Sequence, residues 1–240
     1  MKTKFLDIEI NYKVLGTRGD WIVFLHGWGG SIESFEVVAR CFEKSHRCLL
    51  FDFPPFGESE EPYEVWNNDT YVELLKHLMG CLGIEKCNII AHSFGGRVAI
   101  KFASSYNESV KKMILVDSAG IKPKFSLKKF LKTRQYKLAK KLGLNTKHFG
   151  SEDYRKLSDL MKKTFVCVVN EDLTKHLKQI TSPTLIIFGK NDKDTPPYMA
   201  KTLNKKIRDS ALIVFENCGH FAYIEDFQRF VAISQSFLKG

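Results

Sequence analysis

An apolar run, Ile89, Ile90 and Ala91, stops at His92 and Ser93, two glycines follow, and helical spacing begins at Arg97, Val98, Ile100, Phe102 and Ala103. That is the pattern of a strand, a sharp turn and a helix, with a serine on the turn. So tight a turn crowds the side chains two positions before and two after the serine, so those neighbours must be small. Ala91 and Gly95 meet the demand, with Ala91 standing where the G-x-S-x-G pattern has its first glycine. A serine exposed there is a candidate nucleophile. Its hydroxyl is weak near neutral pH, so an imidazole has to accept its proton and return it to a leaving group. The imidazole in turn needs a carboxylate on its other nitrogen, to fix the tautomer and offset the developing charge. Beyond the strand-like run 184–188 comes Asp192, and beyond the run 211–215 comes His220. Asp194 and Asp117 compete for the role of the acid, Asp117 also ending an apolar run. His92 competes for the base, although a direct neighbour on a tight turn points elsewhere.

The elements that must position these residues follow from hydrophobic periodicity. Residues 5–15 alternate apolar and polar and predict one or two antiparallel edge strands ending at Gly16. Residues 21–25 form a continuous apolar run suited to a strand buried on both faces, and lead into His26-Gly27-Trp28-Gly29-Gly30. Helical spacing follows at Phe35, Val38, Ala39 and Phe42, then a strand over 48–53, a helix over 69–82, a strand over 86–93 and a helix over 98–106. Further strands are expected over 113–116, 183–188 and 211–215, and a closing helix over 225–238. Strands alternating with helices predict an α/β protein with a mostly parallel sheet. In such a sheet the site lies beyond the carboxyl ends of the strands, where Ser93, Asp192 and His220 all fall.

Composition narrows the classes. A chain of 240 residues, 44% hydrophobic, can bury a full core. Lys+Arg 37 against Asp+Glu 27 leaves +10, but no nucleic-acid motif accompanies the basic surface, and no nucleic-acid partner is expected. Six scattered cysteines without a C-x-x-C pair indicate neither a zinc site nor a redox motif. The N-terminus alternates instead of running apolar, and no stretch is long enough to span a bilayer, so a cytoplasmic protein with reduced thiols is expected.

The chain order Ser93, Asp192, His220 and the local motifs together resemble the α/β-hydrolase family. The motifs are His-Gly-x-Gly at His26 to Gly29, a variant of D-x-P-G-x-G-x-S at Asp52 to Ser59, the elbow at Ser93, G-x-x-D-x-x-x-P from Gly189 to Pro196, and G-H-x-x-x-x-E from Gly219 to Glu225. They span nearly the whole chain. Two departures bear on fine geometry, Ala91 for the elbow's first glycine and Pro55 for the glycine after Pro54. The resemblance implies an α/β-hydrolase fold, a mostly parallel central sheet flanked by helices, with Ser93 as nucleophile and His220 as general base. It favours Asp192 as the acid, since the family more often uses the later strand. It assigns an oxyanion hole to the backbone N–H groups of Trp28 and Phe94, donors worth typically about 2.7–4 kcal/mol each. No metal or other cofactor is implied, and His26 is expected to fix its loop by hydrogen bonding.

Serine at the elbow, where dehalogenases and epoxide hydrolases of the family carry a carboxylate, directs the expectation to a small or medium carboxylic ester cleaved through an acyl-enzyme. Two alternatives stay open. One is a lyase or carbon–carbon hydrolase acting on a carboxylate-bearing substrate, since the run Ser93 to Arg97 resembles the elbow of the menaquinone-pathway enzyme of this fold. The other is a non-catalytic binding member. Arg97 bears on the first alternative. A cation in the first turn of a helix opposes the dipole, so it calls for a carboxylate partner, such as Asp117 or an acid of the insertion, or for an anionic substrate.

Residues 120–180 leave the alternating pattern and predict a helical cap inserted between core segments 1–119 and 181–240. After Ser126 as N-cap, Leu127, Phe130, Leu131, Leu138, Ala139 and Leu142 form one stripe, with Gly143 as a stop. Lys128, Lys129, Lys132, Arg134, Lys137, Lys140 and Lys141 occupy the opposite face. Such a helix either rests on the core with its lysines in water or makes a weak association with an anionic surface or substrate. A second stretch over 154–168, carrying Leu157, Leu160, Met161, Phe165 and Val168, completes a largely apolar acyl pocket.

Overall fold

A computed structural model describes residues 1–122 and 152–239. The lysine-faced helix expected between Ser126 and Gly143 lies outside the described residues. The N-terminal segment is two strands, β1 (Lys2–Phe5) and β2 (Ile8–Leu15). They are joined through Leu6 and Asp7, whose φ values of 47° and 63° form a left-handed two-residue turn matching the twist of the strands. The chain continues through β3 (Trp21–Leu25), α1 (Glu33–Arg40), β4 (Arg47–Phe51), α2 (Asn68–Cys81), β5 (Cys87–His92), α3 (Phe94–Ser105) and β6 (Val110–Val116). The side chain of Asn67 caps α2 by accepting the Thr70 amide, which starts the helix just before the position periodicity predicts.

Between β6 and the next strand, the described residues form α4 (Glu152–Lys156), α5 (Asp159–Asn170) and two short 3-10 turns. The single helix expected over 154–168 is thus divided, because Ser158 turns its hydroxyl to the Met161 amide and caps a new helix. Then come β7 (Thr184–Gly189), α6 (Pro197–Lys206) and β8 (Ser210–Phe215). The closing helix is likewise two pieces, α7 (Ala222–Glu225) and α8 (Phe227–Lys239), parted at Asp226 with φ −129° and ψ 60°.

Among the described residues the strands form one eight-stranded sheet in the order β1-β2-β4-β3-β5-β6-β7-β8. The β1–β2 and β2–β4 pairings are antiparallel and all the others parallel. Every residue of β3, β5 and β7 is buried, which is why β3 and the central residues of β5 and β7 read as apolar runs, with Asn88, His92 and Thr184 as buried polar positions toward the strand ends. Alternate side chains serve opposite faces. Val23, Leu25, Ile89 and Leu115 pack with Leu75 and Leu78 of α2, Val98 and Phe102 of α3 and Leu203 of α6. Ile22, Phe24, Ile90 and Ile114 pack with Phe35 and Val38 of α1 and Phe230 of α8. All six cysteines are free thiols. No helix among the described residues is long and apolar enough to cross a membrane.

Candidate active site

The elbow forms between β5 and α3. Ser93 takes φ 49° and ψ −111°, a region costly for a residue with a Cβ, on the order of 1–3 kcal/mol. The surroundings over-determine it: the Ser93 amide donates to the Val116 carbonyl, and the Ser93 carbonyl accepts the amides of Gly96 and Ala119. Gly95 is required by close approach, since a Cβ there would lie 2.2 Å from the Leu25 carbonyl oxygen. Gly96 is required as well, for its Cβ would fall 2.0 Å from Ser118 Oγ, a contact that sequence spacing does not disclose. Ala91 is fully buried within β5.

The structure brings Ser93, His220 and Asp192 together. His220 Nε2 lies 3.0 Å from Ser93 Oγ, and its Nδ1 lies 2.9 Å from Asp192 Oδ2. A carboxylate only accepts, so Nδ1 carries the proton and Nε2 presents a lone pair to the serine hydroxyl. Asp192 is held by its own loop, Oδ1 accepting the amides of Asp194 (2.8 Å) and Thr195 (2.9 Å). Burial pushes the Asp192 carboxyl up, but the bonds from His220 and Thr195 outweigh burial and leave it below the ordinary value. Burial lowers the His220 imidazole, and the hydrogen bond and charge of Asp192, with Asp117 and Asp194 adding to them, carry it above the ordinary value.

Asp117 is fully buried, but its oxygens meet backbone: Oδ1 accepts the Gly189 amide at 2.8 Å and Oδ2 the Ala222 amide at 3.0 Å. Burial pushes its carboxyl up to about 7 despite those two bonds. Thr195, unmarked by sequence reasoning, sets its hydroxyl between the Asp117 carbonyl at 3.0 Å and Asp192 Oδ2. Only its place in the G-x-x-D-x-x-x-P run hinted at a role. His26 donates from Nδ1 to the Gly27 carbonyl at 2.7 Å and accepts the Phe53 amide on Nε2 at 2.9 Å, so it fixes its loop as expected. Burial lowers it to about 4. Asp52 braces the same region through the amides of Ile32 and Glu58 and the side chain of Asn11. The Pro54–Pro55 peptide, where the motif departs from glycine, is cis.

Among the described residues, neither the Trp28 amide nor the Phe94 amide donates to a backbone acceptor. Phe94 opens α3 immediately after Ser93, where the first amides of a helix have no partner within it. The side chains of these two residues meet edge to face, ring centroids 5.3 Å apart. Trp28 also touches Phe56 at 5.0 Å and Phe165 of α5 at 5.2 Å, and Phe165 in turn touches Tyr154 at 5.5 Å. An aromatic wall therefore runs from the loop after β3 to the insertion.

Among the described residues Arg97 makes no ion pair, although the charges of Glu171 and Asp172 in the insertion favour its cation, and it holds no open position. It is 5% exposed, and its guanidinium donates to the carbonyls of Val168 at 3.0 Å, Val169 at 3.1 Å and Glu171 at 2.9 Å. The expectation of a salt bridge to Asp117 or of substrate binding gives way to a clamp on the C-terminal end of α5, where a cation complements the negative pole. Asn68 and Lys101 reinforce it, Asn68 Nδ2 reaching the Val168 carbonyl and Glu171 Oε2, and Lys101 Nζ reaching Glu171 Oε1 at 2.7 Å.

Asp192, Asp194 and His220 bring ligand-type atoms within 4.8 Å of one another. The protein's own donors already engage Asp192 on both oxygens, and His220 offers Nε2 to Ser93, so these residues suit proton transfer better than cation binding.

A family model for the alpha/beta hydrolase fold matches residues 20–151 and 138–227, and the chain belongs to that family. Its curated relatives include the proline iminopeptidase of Lactobacillus helveticus (strain DPC 4571), 28% identical over 99% of this chain and 96% of that protein. Another is the 2-hydroxy-6-oxononadienedioate/2-hydroxy-6-oxononatrienedioate hydrolase 2 of Pseudomonas putida, 27% identical over 98% of this chain and 93% of that one. Among solved structures, the alpha/beta hydrolase MGS-M2 from a Medee basin deep-sea metagenome library superposes with a TM-score of 0.81 at 26% identity, covering 100% of this chain and 98% of the other.

Proposed function

We propose that this α/β hydrolase is a serine hydrolase cleaving a small or medium carboxylic ester through an acyl-enzyme on Ser93. The observation that carries the reading is the continuous contact from Ser93 Oγ through His220 to Asp192. Ser93 Oγ attacks the ester carbonyl carbon as His220 Nε2 takes its proton, and Asp192 offsets the charge on the imidazole. The oxyanion is received by the amides of Trp28 and Phe94. Collapse expels the alcohol, which takes the proton from His220. Water then attacks the acyl-enzyme with His220 again as base, releasing the acid and regenerating Ser93.

The acyl group lies against the wall of Trp28, Phe165 and Tyr154, with 120–180 acting as a cap over the 1–119 and 181–240 core. The partner is a small molecule met in the cytoplasm, with at most weak attraction to anionic surfaces from the +10 chain. A second reading, carbon–carbon bond hydrolysis, is favoured by the similarity to the Pseudomonas putida hydrolase, but Arg97 is engaged by carbonyls and cannot serve a substrate carboxylate without releasing them. The test is labelling of Ser93 by a fluorophosphonate, with Ser93→Ala as control. It is followed by turnover of esters of graded chain length beside a vinylogous diketone acid and an aminoacyl anilide. Ester turnover well above the other two supports the proposal; preference for either of the others overturns the ester assignment.

A further inference from the structure

His92, the residue before Ser93, is 3% exposed and sets its Nε2 2.7 Å from the backbone carbonyl oxygen of His220. A carbonyl only accepts, so Nε2 bears the proton and donates. The ring is packed from several sides, with centroids 4.9 Å from His220, 5.0 Å from Tyr223 and 5.2 Å from Phe221. Gly27 also lies against the ring, since a Cβ there would fall 2.8 Å from His92 Nδ1. Burial lowers the His92 imidazole to about 3, which keeps it neutral throughout the range in which an ester hydrolase works. Among the described residues no backbone amide donates to the His220 carbonyl, so His92 is the group that fixes it.

We propose that His92 is a positioning residue for His220: its Nε2–H holds the His220 backbone, and so the imidazole, at its working distance from Ser93. The inference rests on the serine-hydrolase reading. His92 and Ser93 are consecutive, their Cα atoms about 3.8 Å apart across one planar peptide. The turn that carries the nucleophile therefore also carries the reference point for the base. A base loop released from that point drifts relative to Ser93, and a displacement of about 1 Å costs on the order of 10²-fold in rate.

The test compares His92→Phe, which keeps a ring and removes the donor, with His92→Gln, which keeps a donor and removes the ring. The rate of Ser93 labelling by a fluorophosphonate, kcat and KM on an ester that the wild type turns over, and the melting temperature are measured for each. Labelling and kcat are expected to fall roughly 10- to 100-fold in His92→Phe with KM within about twofold of wild type, and to recover most of the loss in His92→Gln. Equal losses in the two variants, or labelling of His92→Phe at the wild-type rate, would overturn the inference. Where His92→Phe does not fold, His92→Met replaces it: Met slow and Gln near wild type supports the role, equal rates overturn it. Wild-type protein that is not labelled at all fails at an earlier step, overturning the serine-hydrolase reading and this inference with it.

Discussion

The carboxylate of Asp117 accepts the backbone amide of Ala222 at 3.0 Å, two residues beyond the histidine that Asp192 holds by its side chain. Two buried acids thus serve one loop in different ways. Asp192 contacts the imidazole, whereas Asp117 ties the ends of β6 and β7 to the start of α7 through the amides of Gly189 and Ala222. Asp192→Asn is expected to lose activity by roughly 10⁴-fold, because the amide leaves the imidazole in the wrong tautomer. Asp117→Asn is expected to retain activity within about tenfold, since only one of its two backbone bonds is lost at roughly 0.5–1.5 kcal/mol. Steady-state kinetics of the two variants on one ester decide the matter, and the reverse ranking would make Asp117 the acid.

Ser93→Ala is expected to abolish ester turnover and leave the melting temperature within a few degrees of wild type, as only the attacking oxygen is removed. Calorimetry and the fluorophosphonate label check both halves. Residual turnover comparable to wild type would move the nucleophile elsewhere.

The pH dependence has a definite direction. His220 must be neutral to accept the serine proton, and Asp192 with its neighbours raises the imidazole above its ordinary value of 6.5. The profile of kcat/KM should therefore rise with pH through a midpoint above 6.5, reporting the free enzyme. Asp192→Asn removes the hydrogen bond and the charge that raise the value, so the midpoint of its residual activity should move to lower pH. A midpoint that stays in place in that variant would separate the limb from His220.

Arg97→Met is expected to leave the carbonyls of Val169 and Glu171 without this donor, at roughly 1–3 kcal/mol for each that stays buried, while Val168 keeps the bond from Asn68. The melting temperature should drop, and activity should fall alike on neutral and carboxylate-bearing esters. A selective rise in KM for the carboxylate esters at unchanged stability would instead assign Arg97 to the substrate.

Phe165→Ala opens the wall beside Trp28, and the ratio of kcat/KM for longer over shorter acyl chains should rise by roughly 10-fold or more. The rate of Ser93 labelling by a small fluorophosphonate should hardly change. An unaltered chain-length profile would show that Phe165 does not border the acyl site.

Much of this architecture is legible in the sequence, because hydrophobic periodicity reports directly on burial. The unbroken run of β3 and the apolar run 89–91 within β5 announce strands covered on both faces, and the residues just beyond β5, β7 and β8 are those that converge. Less legible is whatever depends on contacts between segments distant in the chain. Arg97 reads as an unpaired cation until the end of α5, more than seventy residues later, comes to rest on it. Thr195 and Gly96 are ordinary in composition, and only packing against Asp192 and Ser118 gives them their parts. The divisions at Ser158 and Asp226 escape periodicity because the apolar spacing continues across a local change of backbone direction.

The clamp of Arg97, Asn68 and Lys101 on residues 168–171 also bears on how this chain could be recombined with its relatives. A chimaera that exchanges the insertion at its sequence boundary near Ile180 would carry away the carbonyls that accept the hydrogen bonds of a buried guanidinium in α3. A splice placed before Val168 would leave that cluster intact, so modular exchange should yield folded hybrids only when the last turn of α5 travels with the core.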